Sequence, residues 1–167
     1  MKAPAPSLTF HADRPGLLCA VSVASRENGI GITNGIELSA GGAHPPRALL
    51  SNNDAKLRVA DPCVGQVSSV VPLPWPVNFA SACPTCPSLV CVVGDDLAAA
   101  MVDLHSGART ASLGGHLDYA FAVAWHPDGL MVATGSQDMV TRIWDVRHLR
   151  SPLVFVRLIW VVVRGGW

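Results

Sequence analysis

The chain has 167 residues, half of them apolar and 14% charged, with a formal net charge of zero. That length suits one domain, and that apolar content supplies a core and excludes a disordered chain. Two lysines, Lys2 and Lys56, and scattered arginines exclude the clustered cationic footprint that displaces counterions from nucleic acid.

In chain order, Met1 to Pro6 carry one lysine and two prolines but no apolar run of signal-peptide length. Within the N-terminal segment 1–31, Leu17 to Ala24 is a candidate stray strand. From Ile32 onward the chain repeats. Asp54, Asp96 and Asp138 are spaced by 42 residues, and so are Asp61, Asp103 and Asp145. The period divides the chain into units at 32–76, 77–115 and 116–150, followed by a divergent apolar tail at 151–167.

Each unit reads as four short strands. The first has Ile36 to Ser39, Ala48 to Ser51, Leu57 to Ala60 and Val67 to Val71. The second has Val77 to Ala82, Leu89 to Val93, Ala98 to Val102 and Arg109 to Leu113. The third has Ala120 to Trp125, Met131 to Gly135 and Val140 to Val146, with Leu153 to Ile159 available as a fourth. Between its first two strands, His126-Pro127-Asp128-Gly129 is ordinary turn chemistry. No segment has helical periodicity. A unit of about 40–45 residues matches one blade of a β-propeller. The expected architecture is therefore all-β, about three four-stranded blades, not closed, since a closed ring takes at least about four.

The third unit closely resembles a WD repeat. Gly115-His116 stands at the GH dipeptide, Trp125-His126-Pro127-Asp128-Gly129 and Ala133-Thr134-Gly135-Ser136-Gln137-Asp138 follow in order, and Ile143-Trp144-Asp145-Val146 closes the repeat. The resemblance implies a structural polar network: the Trp144 indole donating to the Thr134 hydroxyl, which bonds His116, which Asp138 orients. It also implies a non-catalytic scaffold for protein–protein interaction. The first two units are degenerate, with Ala60 and Val102 at the tryptophan position and Leu73-Pro74 before the second unit. Ile32-Thr33-Asn34, Ser51-Asn52-Asn53-Asp54 and Pro74-Trp75-Pro76-Val77-Asn78 are similar to plant and fungal transducin-like WD-repeat proteins. Trp144-Asp145-Val146-Arg147 also fits the WDxR pattern of receptors that dock on the adaptor of cullin–RING ubiquitin ligases. On that reading Asp145 and Arg147 are docking residues, with Arg147 offering a planar guanidinium for bidentate bonding; the plainer reading leaves Arg147 solvated or pairs it with a neighbouring aspartate.

The five cysteines, Cys19, Cys63, Cys83, Cys86 and Cys91, form an odd, irregular set and read as reduced thiols of an intracellular protein, cytoplasmic or nuclear. Cys83-Pro84-Thr85-Cys86 raises metal and redox chemistry, but one pair falls short of four zinc ligands and no helix follows it. Two exposed free thiols are expected, with no metal and no cofactor. The periodic aspartates are expected to cap turns and face solvent. The run Leu153 to Val163 is shorter than the about 20 residues of a spanning helix. The tail lacks the turn and aspartate of a further unit, so the sequence reads as a truncated product whose end comes from an altered reading of the gene.

Overall fold

Short runs rich in valine, alanine and leucine, punctuated every few residues by aspartate and glycine turns, favour extended chain that folds back on itself. A computed structural model shows this. It describes residues 32–39 and 46–157, together with the backbone of two short paired strands, β1 (Leu8–Thr9) and β2 (Ala20–Val21). β2 falls inside the stretch expected as a stray strand. The apolar run 158–163 and the rest of the tail lie outside the described residues.

Three four-stranded antiparallel sheets follow in chain order, each a simple meander. Blade 1 comprises β3 (Thr33–Ser39), β4 (Arg47–Asn52), β5 (Lys56–Asp61) and β6 (Gln66–Pro72). Blade 2 comprises β7 (Val77–Ala82), β8 (Leu89–Gly94), β9 (Ala98–Asp103) and β10 (Ala108–Gly114). Blade 3 comprises β11 (Ala120–Trp125), β12 (Met131–Ser136), β13 (Val140–Asp145) and β14 (Val154–Arg157). The described residues contain no helix. The described residues form an unclosed stack of three four-stranded blades, a partial β-propeller.

Side chains alternate across each strand, so every blade has two faces. The forward face of blade 1, with Leu49, Leu57, Val59 and Val71, packs against Val90, Val92, Ala100 and Val102 on the rear of blade 2. The forward face of blade 2, with Cys91, Val93, Ala99, Met101 and Leu113, packs against Val123, Val132 and Trp144 on the rear of blade 3. Blade 2 is thus buried on both sides. In blade 3 the matching forward positions reach the surface, and Val154 and Val156 are half exposed.

Hydrogen bonds reinforce this stacking at a β-bulge that recurs near the start of each inner strand. The extra residue is Asn34 in blade 1, Asn78 in blade 2 and Phe121 in blade 3. The Asn34 amide donates to Val77 O (2.9 Å), and the Asn78 amide donates to Ala120 O (3.1 Å). Each asparagine therefore clasps the first inner-strand residue of the next blade. Trp125 Nε1 adds a bond to Ser81 O (2.8 Å), and Ala82 N donates to Glu37 Oε1 (2.8 Å).

The turns after the second strand of each blade and after the third follow the two aspartate series. Asp96 and Asp138 accept from the backbone N–H two residues on, at Ala98 and Val140. Asp61, Asp103 and Asp145 do the same for Cys63, His105 and Arg147. Gly65 and Gly107, at φ +66° and +69°, complete the turns of blades 1 and 2 in a conformation that glycine adopts without strain. The capping agrees with the expectation, but the exposure does not. Asp145 is buried, and Asp54 and Asp138 keep only 10% and 3% of their side chains exposed, because arginines draw them inward as ion pairs.

Candidate functional site

The structure brings His116, Thr134, Asp138 and Trp144 into one buried cluster on blade 3. Trp144 lies on β13 opposite Val132, and Thr134 lies on β12 opposite Arg142, so both project onto the rear face toward blade 2. His116 comes from the connection between β10 and β11, and Asp138 from the turn between β12 and β13. Trp144 Nε1 donates to Thr134 Oγ1 at 2.9 Å. The hydroxyl proton is left for His116 Nε2 at 2.8 Å, so the ring proton sits on Nδ1 and is donated to Asp138 Oδ2 at 3.0 Å. This directional chain satisfies every member, and unmade bonds here would cost about 1–3 kcal/mol each. His116 is 2% exposed and Thr134 and Trp144 are fully buried.

Arg142, absent from the sequence reading, completes the cluster. Its Nη1 donates to Asp138 Oδ2 at 2.7 Å, the same oxygen that His116 Nδ1 faces. Burial lowers the His116 pKa, and the Arg142 charge acts in the same direction against the raising effect of Asp138. Burial alone would raise the Asp138 pKa. Hydrogen bonds from Leu117 N, Arg142, His116 and Val140 N outweigh it and hold the carboxyl far below the usual carboxylate range. The ground state is a neutral imidazole beside an Asp–Arg ion pair.

The other two blades fasten the same place with other chemistry. In blade 1, Arg58 makes two bonds to Asp54 (2.9 and 2.6 Å) and one to Asn52 Oδ1 (2.9 Å). The Asn52 amide then reaches Thr33 Oγ1 on the entering strand at 2.9 Å. The Arg58 hydrogen bond leads the causes that lower the Asp54 pKa. In blade 2, Trp75 lies directly on Gly94, where any Cβ would collide with its ring and with the Pro76 carbonyl. The Asn78 amide also holds Asp95 Oδ1 (3.0 Å). A signal for Arg58 and Arg142 was present: each stands four residues after a periodic aspartate.

Asp145 and Arg147 occupy the lower end of blade 3. Arg147 Nε and Nη2 lie 2.9 and 2.6 Å from the two Asp145 oxygens, a bidentate pair with 62% of the arginine side chain exposed. The Arg147 hydrogen bond is the largest cause of the strongly depressed Asp145 pKa. The plainer reading of Arg147 therefore describes the isolated chain.

The Cys83–Cys86 pair differs from its expectation. Cys86 is exposed, but Cys83 is 2% exposed beneath the neighbouring turn, with its Sγ 3.8 Å from Gly129 O. The hairpin that carries Cys83 packs against the Pro-Asp-Gly turn of blade 3, which removes the thiol from solvent. Burial pushes the Cys91 pKa up to about 12, so that thiol is inert. Among the described residues, no three His, Cys, Asp or Glu side chains are grouped to hold a metal. Among the same residues, no helix is long and apolar enough to cross a membrane.

The stacked four-stranded sheets and the fastening of blade 3 define a repeat-built blade protein. The family model for the WD domain, G-beta repeat, matches residues 107–145. Beyond that segment, the chain is similar to Coronin-7 of Bos taurus, with 27% identity over 148 residues, and to Coronin-7 of Homo sapiens, also at 27%. Coronin-7 of Mus musculus is 26% identical. These matches cover 84% of this chain and 16% of each relative, so the chain spans about a sixth of their length.

Proposed function

We propose that the chain is a non-catalytic scaffold for protein–protein interaction inside the cell, in cytoplasm or nucleus. The observation that carries this reading is the burial of the cluster on blade 3 that resembles a hydrolase triad. His116, Thr134 and Asp138 use their polar atoms on one another, on Trp144 and on Arg142, so this cluster offers no solvent-facing nucleophile or base to a substrate. The three-fold repetition of blades ending in exposed turns is instead suited to presenting a surface. Affinity purification with mass spectrometry is expected to recover a reproducible set of proteins. Recovery of nothing above an unrelated bait would reject the scaffold.

Within that role, a finer reading is docking on the adaptor of cullin–RING ubiquitin ligases through Asp145 and Arg147. What favours it is a guanidinium held in fixed orientation by Asp145 yet largely exposed. Arg147→Ala should then remove the adaptor from the recovered set while other partners remain. Unchanged recovery of the adaptor would exclude this route. The likeness of the strand-entry fragments to plant and fungal transducin-like proteins is the basis for proposing that subfamily.

A further inference from the structure

Blade 3 departs from its neighbours where its third and fourth strands join. Blades 1 and 2 make this connection with residues 62–65 and 104–107, each closed by a glycine turn. Blade 3 uses residues 146–153, and β14 begins only at Val154. The longer segment swings beside β10, the outermost strand of blade 2. Between them lies a groove of about 610 Å³. Its apolar floor is Ala111, Val146 and Leu149, all partly buried against the core between blades 2 and 3.

The chemistry of the rim is one-sided. Arg147, His148 and Arg150 line the groove, and no acidic residue does. Arg147 is neutralised by Asp145, which lies beneath it. Arg150 is exposed and has no ion-pair partner among the described residues, and the His148 side chain beside it is 82% exposed. β10 is also an edge: among the described residues it pairs with β9 alone, and no described strand pairs with its other side. An edge of this kind accepts an extended chain by strand addition, while adjacent pockets select side chains.

We infer that this groove binds an extended acidic peptide segment of a partner protein, aligned along β10. An apolar side chain of that segment would sit on Ala111, Val146 and Leu149, with its carboxylates facing His148 and Arg150. The assignment rests on the scaffold reading above and gives it a partner chemistry. The basic rim, which no acidic side chain lines, supplies selection by sign, the apolar floor supplies an anchor, and the edge strand fixes the extended form.

The test uses the full chain and two fluorescent decapeptides, one alternating glutamate with leucine and the other alternating lysine with leucine. Fluorescence anisotropy is expected to show binding of the acidic peptide alone, weakened as salt rises. The double variant His148→Glu, Arg150→Glu should weaken it at least about tenfold, since like charges at a rim are repulsive. Both residues are exposed, and a circular dichroism spectrum matching the unsubstituted chain excludes misfolding as the cause. Equal binding of both peptides, no binding of either, or binding indifferent to the double variant would overturn the inference. Affinity purification with the same variant separates the two levels of argument. Partners retained unchanged would leave the scaffold standing without this groove, whereas an unsubstituted bait that recovers nothing would remove the scaffold itself.

Discussion

In blade 3 the chain entering the inner strand is held by directional polar bonds from His116, Thr134, Asp138, Trp144 and Arg142. In blade 2 the same entry is held by Trp75 pressed onto Gly94, with Asn78 and Asp95 alongside. Both solutions immobilise the same loop against the same turn, one by saturating buried donors and acceptors, the other by filling space. Loss of the WD signature in blade 2 therefore does not mean loss of the fastening. A polar fastening demands several correct residues at once, because any unmatched buried group is costly. An apolar one demands only a large ring and a place without a Cβ. The second is far harder to recognise in sequence.

The comparison can be broken at several points. Trp144→Ala should have the largest effect, a loss of about 3–5 kcal/mol in urea unfolding, because it empties a fully buried site and orphans Thr134. A loss below about 1 kcal/mol would show that blade 3 does not depend on its indole. Asp138→Ala should cost about 3 kcal/mol or more, since it leaves Arg142 and the His116 Nδ1–H facing no carboxylate. Gly94→Ala probes the apolar fastening. Its methyl must displace Trp75, so about 1–3 kcal/mol should be lost together with a shift in tryptophan fluorescence. Unchanged stability there would mean that the ring is not seated on Gly94.

The smallest effect is a pH step that belongs to blade 3 alone. The folded His116 pKa lies below its ordinary 6.5, so below that pH the unfolded chain binds the proton more readily. Stability is then complete above about pH 6.5 and falls as the medium is acidified through the folded pKa. A second fall should begin below the ordinary 3.8 of Asp138, whose folded carboxyl resists protonation. His116→Gln should abolish the upper step in a melting-temperature profile and leave the lower one. An upper step that persists in this variant would have another origin.

The blades were legible because the aspartate period is imposed by turn chemistry. Five of the six periodic carboxylates, all but Asp54, cap an N–H two residues later, so the spacing survives even where core residues drift. The polar cluster of blade 3 was legible because hydrogen-bonding residue types are hard to replace. Arg142 escaped notice although Arg58 repeats its position, since a long cation on a strand reads as solvated. The bulge asparagines escaped because Asn34 and Asn78 are 44 residues apart, out of step with the period of 42. Burial of Cys83 depends on the neighbouring blade's turn, which no local pattern encodes. The groove beside β10 needed the register of β14, set by four residues that pair with β13 after a long connection.

Blade 2 has one core cluster on its rear face and another on its forward face. It also receives the Asn34 clasp and offers its own to blade 3. In a stack coupled through nearest neighbours, the unit flanked on both sides opens last. Amide hydrogens of β8 and β9 should therefore exchange with deuterium more slowly than those of β4 and β5 or of β12 and β13. A blade that lacks the WD signature would then be the slowest of the three to open.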